Sequence, residues 1–165
     1  MQGKKMTIKT GDRLPHFEFI TKTDDGLQKL STDALFKGRR VVLFAVPGAF
    51  TPTCSMNHLP GFVKAADDIR AKGVGLIACT SVNDAHVMHA WGKASGAAGR
   101  IEMLADGNGE FARTIGLSID LRKAGMGERS RRYSMIVDDS VITALNVETE
   151  PGVNVSGAET ILAQL

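Results

Sequence analysis

Cys54, Thr51 and a downstream arginine cluster are the residues whose types and spacing point to chemistry. Residues 41–55, VVLFAVPGAFTPTCS, begin as an apolar run, break at Pro47-Gly48 and deliver Cys54 to the start of a helix. A thiol at a helix N-terminus meets unpaired N–H groups and the positive end of the helix dipole, which favour the thiolate. Thr51, three residues earlier, can aim its hydroxyl at the same point. A cation would complete the site, and arginine supplies one that never deprotonates. The best source is Arg129-Ser130-Arg131-Arg132, just before an apolar strand. Successive strand residues point to opposite faces, so Arg131 and Arg132 cannot both reach one pocket directly. Pro47 and Pro52 stiffen the loop and remove two backbone donors. Such a collar suits attack by sulfur on a small polar molecule.

Other candidates have plainer readings. Two cysteines are too few for a disulfide scaffold, so each is inert core or a reactive thiol. Cys79 ends the apolar run Gly75-Leu76-Ile77-Ala78-Cys79 and reads as a buried strand cysteine. His86 and His89 sit i, i+3 on a helix without a third ligand nearby, and read as a solvated face rather than a metal site. His58 lies four residues after Cys54, on the same helical face, as in a Cys–His hydrolase, but no clear orienting acid accompanies it.

The elements that must position these residues follow from hydrophobic period and turn signals. Residues 17–20 and 27–30 flank Asp25-Gly26, a hairpin signal. Ser31-Thr32-Asp33 caps a helical turn that ends at Phe36. Residues 40–46 read as the central strand. A helix is expected from Cys54 to about Lys72, with Pro60 separating or kinking its first turn. Strands are expected over 74–81, 101–105, 131–137 and 141–147, and helices over 85–94, 110–115 and 158–165. A loose lead-in with a short strand near Thr7-Ile8 is expected over 1–14. Residues 116–130 read as a long functional loop with a broken helix at 119–122. This alternation predicts one α/β domain over 1–165, a mixed central sheet flanked by helices, with an N-terminal β-hairpin.

The net charge of +2 over 165 residues does not point to nucleic acid or an anionic membrane surface. No apolar run reaches the ~18 residues that a membrane span needs. Residues 1–15 carry lysines without a following apolar core, so neither a signal peptide nor a transit peptide is expected, and the cytoplasm is the expected location.

Pro47-Gly48-Ala49-Phe50-Thr51-Pro52-Thr53-Cys54 resembles the peroxiredoxin active-site signature, in its Prx5 or type II form. His58-Leu59-Pro60-Gly61-Phe62, Ser81-Val82-Asn83-Asp84, Arg131-Arg132-Tyr133-Ser134-Met135 and Ala144-Leu145-Asn146-Val147-Glu148 are similar to the same branch. The resemblance implies a thioredoxin-like fold and a cofactor-free, metal-free thiol peroxidase that reduces hydrogen peroxide and alkyl hydroperoxides. It makes Cys54 the peroxidatic nucleophile, which becomes a sulfenic acid. Thr51 would orient the peroxide, and the backbone N–H groups of Thr53 and Cys54 would bind its oxygens. Pro47 would shield the sulfur. The arginine before the aromatic of RRYSM takes the active-site role, which is Arg132, with Arg131 as the fallback and Arg129 structural or interfacial. Some relatives resolve the sulfenic acid with a cysteine in the loop before the last helix, but Gly152-Val153-Asn154-Val155-Ser156 has none. Cys79 is the alternative resolving thiol. A disulfide needs Cα atoms within ~7 Å, which a mid-strand and a helix-start cysteine would exceed without unwinding. Reduction by glutathione with glutaredoxin, or by thioredoxin, is therefore expected, in a homodimer joined through loops around the site. A peroxide sensor using the same cysteine, with little turnover, is the alternative.

Overall fold

The computed structural model describes residues 7–165, so the first six residues of the expected lead-in lie outside it. The strands are β1 (Glu18–Thr23), β2 (Gly26–Ser31), β3 (Arg40–Ala45), β4 (Leu76–Ser81), β5 (Glu102–Ala105), β6 (Ser118–Asp120), β7 (Glu128–Ser130), β8 (Tyr133–Asp138) and β9 (Val141–Val147). The helices are α1 (Thr32–Phe36), α2 (Leu59–Ala71), α3 (Ala85–Ala94), α4 (Glu110–Thr114) and α5 (Ala158–Gln164). A seven-stranded sheet runs in the order β2-β1-β5-β4-β3-β8-β9. β3 is parallel to β4, and β4 to β5, while β3–β8, β8–β9, β1–β2 and β1–β5 are antiparallel. The mixed sheet with its N-terminal hairpin is thus as the sequence predicts.

β3 is apolar without alternation because both of its faces are covered. Val42 and Phe44 face a layer containing Leu59, Phe62 and Ile69 of α2, Met88 and Trp91 of α3, and Ile161 of α5. Val41, Leu43 and Ala45 face the other layer, with Leu35 and Phe36 of α1 and Phe111 of α4. Side-chain caps start α1 and α3. Ser31 Oγ accepts from Ala34 N at 3.1 Å, and Asp84 Oδ1 from Val87 N at 2.9 Å.

Three expectations change. No strand forms at Thr7-Ile8; Ile8 N donates to Ile115 O at 2.9 Å instead, and an isolated bridge pairs Arg13 with Val141. Residues 116–130 are not a structureless loop but the two-stranded antiparallel pair β6–β7, with a 3₁₀ turn at Arg122–Ala124. Three-residue strands are too short to show a period, and Gly125 and Gly127 supply the positive φ that turns the chain back. β8 begins at Tyr133, so Arg131 and Arg132 precede the strand rather than lie in it.

Candidate active site

The loop after β3 is fixed before any catalytic group is placed. Ala49 N donates to Asn83 Oδ1 at 2.9 Å, which ties the loop to the segment following β4. Thr51 Oγ1 donates to Gly48 O at 2.7 Å. A Cβ on Gly48 would lie 3.0 Å from Thr51 Cγ2, 3.1 Å from Met126 Cε and 3.2 Å from Arg129 Nη1, so only glycine fits without displacement. Phe50 takes a left-handed φ of 63° and stays exposed, a strained turn residue beside the site.

Helical backbone begins at Pro52, whose missing N–H costs nothing at that position. Ser55 N donates to Thr51 O at 2.9 Å, so the Thr53 and Cys54 amides precede the first internal bond of this helix. Residues Cys54–His58 form a π-helical turn, closed by Leu59 N donating to Cys54 O, and α2 follows. The separated first turn expected from Pro60 is therefore a π-turn, because Pro60 has no N–H to continue α-type pairing. Trp91 Nε1 donates to Ser55 Oγ at 2.9 Å and anchors this turn to α3.

Cys54 is fully buried. Arg132 Nη2 donates to Cys54 Sγ at 3.0 Å, and Arg132 Nη1 lies 3.0 Å from His58 Nδ1. His58 Nε2 is 2.8 Å from Ser156 O. A carbonyl only accepts, so Nε2 carries the proton and Nδ1 offers its lone pair to Arg132. Phe44 and Phe62 wall the imidazole, with ring centroids 5.0 and 5.6 Å from it. Burial pushes His58 down to about 4, against the raising effect of its bond to Ser156, and the neighbouring Arg132 charge adds to the depression. A neutral imidazole is what this contact with a guanidinium requires.

Arg132 and Arg131 both line a cleft of about 390 Å³ with Pro47, Thr53, Ile119 and Glu148, but Arg132 is the one bonded to sulfur. Arg131 is exposed and bonds through its backbone, N to Leu117 O at 2.7 Å. Arg129 caps the loop, donating from Nε to Met126 O at 2.8 Å and from Nη1 to Pro47 O at 3.4 Å. Cys79 is a free, buried thiol in register with Phe44, on the same face of the sheet as Cys54. Burial pushes its thiol well up, the nearby Cys54 adds to that, and Arg132 opposes it. His86 and His89 join no group of three potential metal ligands among the described residues.

Spacing indicated Cys54, Thr51 and the arginine cluster. It gave little weight to His58 and passed over Ser156 and the Glu148 side chain. The signals for His58 were its i+4 position and its place at the head of the His58-Leu59-Pro60-Gly61-Phe62 stretch. Ser156 acts through its backbone carbonyl, which no side-chain motif records.

The buried neutral imidazole has a consequence for stability. His58 has an ordinary value of 6.5 and is depressed in the folded state, so unfolding takes up a proton wherever pH lies between 6.5 and about 4. Its contribution is present at neutral pH and is lost as pH falls through that window. Unfolding free energy is expected to drop by about 2 kcal/mol between pH 7 and pH 5 from this group. Asp106, held up chiefly by burial, acts in the opposite sense. Urea titrations of the parent and of His58→Gln isolate the histidine share, and an equal pH slope in both would remove it.

Comparison with known proteins gives one consistent family. The Redoxin family model matches residues 9–162. Peroxiredoxin-2B of Arabidopsis thaliana is 45% identical over 160 residues, covering 96% of this chain and 98% of that protein. The reduced Prx3 of Vibrio vulnificus, solved in complex with H2O2, is 51% identical with a TM-score of 0.92, covering 96% and 99% of the two chains. Peroxiredoxin 5 of Alvinella pompejana is 36% identical with a TM-score of 0.82, covering 94% and 96%. The fold is thioredoxin-like, with helices on both faces of the mixed sheet.

Proposed function

Since this chain belongs to the peroxiredoxins, in their type II branch, and is a thiol-dependent peroxidase, we propose that Cys54, Thr51, Pro47 and Arg132 carry its reaction with hydrogen peroxide and alkyl hydroperoxides. The observation that carries this reading is Arg132 Nη2 at 3.0 Å from a buried Cys54 Sγ. A fixed cation at that distance favours the thiolate, and the same guanidinium can meet charge that develops on the leaving oxygen.

The Cys54 thiolate attacks the terminal oxygen of HO–OR. A sulfur–oxygen bond forms, the O–O bond breaks, and RO⁻ leaves and takes a proton from water. Cys54 is then a sulfenic acid. Thr51 has its hydroxyl proton committed to Gly48 O, so its oxygen accepts from the peroxide O–H. The Thr53 and Cys54 amides donate to the peroxide oxygens, and Pro47 screens the sulfur at the mouth of the cleft.

Reduction comes from outside the chain, by glutathione with glutaredoxin or by thioredoxin. One thiol condenses with the sulfenic acid, releasing water, and a second thiol frees Cys54 as a disulfide departs. Cys79, kept neutral by burial, is a poor resolving nucleophile. No helix among the described residues is long and apolar enough to cross a membrane. Antioxidant defence is the role. Exposed Phe50 and Met56 beside the site support a homodimer joined through these loops, which native mass spectrometry checks; a reduced protein of monomer mass at micromolar concentration would remove it.

Peroxide consumption under excess hydrogen peroxide, with each reductant system in turn, tests the reading. Sustained loss over many equivalents is expected with at least one system. Stalling after one equivalent with all of them would replace the peroxidase cycle with a sensor.

A further inference from the structure

Resting on Cys54 as the peroxidatic thiol, we propose that Glu148 is a positioning residue for the reaction, acting through Ser156 and His58 on the Arg132 guanidinium. One carboxylate oxygen collects four donors. Glu148 Oε2 accepts from the backbone N–H groups of Asn154, Val155 and Ser156, each at 2.8 Å, and from Ser156 Oγ at 2.6 Å. Three successive amides converging on one oxygen form an anion cradle. Burial works against the Glu148 charge, but the Ser156 hydroxyl and these amides outweigh it and hold the carboxyl below its ordinary value.

The cradle fixes the segment before α5, and with it the direction of the Ser156 carbonyl. That carbonyl accepts from His58 Nε2 at 2.8 Å and sets the tautomer. The tautomer decides whether His58 can serve Arg132. With the proton on Nε2, Nδ1 accepts from Arg132 Nη1. With the proton on Nδ1, two N–H donors would face each other and drive the guanidinium away from sulfur. The Glu148 backbone closes a second link, since Glu148 N donates to Arg132 O at 3.0 Å. Both ends of Arg132, main chain and guanidinium, are thus referred to the same residue, which itself does not bond to Cys54. A misplacement of about 1 Å in such a group can cost up to about 10²-fold in rate.

Glu148→Ala removes the acceptor, and Glu148→Gln keeps one oxygen for the amides without the charge. In Glu148→Ala, attack on hydrogen peroxide is expected to slow by about 10- to 100-fold. The nitrogen NMR signals of the His58 ring are expected to move from the pure Nε2–H tautomer to a mixture. Glu148→Gln is expected to recover part of both, and it supplies the readings if the alanine variant does not fold. A folded variant that keeps the parental tautomer and rate overturns the proposal. So does a slower variant whose tautomer is unchanged, because the effect would then be structural alone. A parent that never turns over peroxide would sink the peroxidase reading instead, while the tautomer measurement would still decide this one.

Discussion

Arg132→Ala is expected to slow attack by Cys54 on hydrogen peroxide by about a thousandfold, the upper end of what one preorganised donor supplies. In the proposed mechanism the arginine acts twice on the reaction coordinate. At 3.0 Å it neutralises the thiolate in a fully buried setting, where charge is poorly solvated. It then meets the oxyanion that forms as the O–O bond breaks. Alanine removes both effects and leaves His58 Nδ1 without its donor, a buried loss of about 1–3 kcal/mol. Melting of the variant must therefore accompany its stopped-flow rate. Arg132→Lys is expected to recover only part of the rate. A guanidinium holds Sγ and His58 Nδ1 with two nitrogens in one rigid fork, and a single ammonium cannot reproduce that plane. Arg132→Ala with most of the parental rate, and Arg131→Ala without it, would move the role to Arg131.

The parts of the fold that were legible are those whose hydrophobic period runs long enough to register. β3, β4 and α2 each present several apolar residues to a defined layer, so their type and order follow from pattern. β6 and β7 do not, because three residues contain no period and Arg122, Lys123 and two left-handed glycines look like any loop. The site divides in the same way. Cys54 and Thr51 lie within one local motif, and their placement depends on a strand end, a proline and a helix start, all written in neighbouring residues. Arg132 comes from 78 residues away, and the sequence offered two adjacent arginines of equal chemistry. Strand alternation was the wrong ground for separating them, since both precede β8, and both line the cleft although Arg132 alone is bonded to sulfur. The links among His58, Ser156 and Glu148 were illegible for a further reason. Two of them run through backbone carbonyls and amides, which every residue carries, so no residue type announces them.

Cys54→Ser is expected to abolish peroxide turnover, and Cys79→Ser to leave most of it. Serine keeps the size and the hydrogen bond to Arg132, but its hydroxyl does not ionise under conditions where a thiol does, and an alkoxide has no route to a stable S–OH equivalent. The two cysteines share one face of the sheet, so proximity alone does not separate their roles. Their surroundings do. Cys54 meets a guanidinium and amides without internal partners, whereas Cys79 sits inside β4, in register with Phe44, where burial holds it neutral. To resolve a Cys54 sulfenic acid, Cys79 would have to ionise in the core, where burial opposes the charge. Turnover of Cys79→Ser with glutathione and glutaredoxin, or with thioredoxin, measures this directly. A variant that forms sulfenic acid at the parental rate yet stops after one equivalent with both systems would make Cys79 the resolving thiol. Mass spectrometry of the oxidised parent would then have to show a Cys54–Cys79 disulfide in place of an adduct with the external reductant.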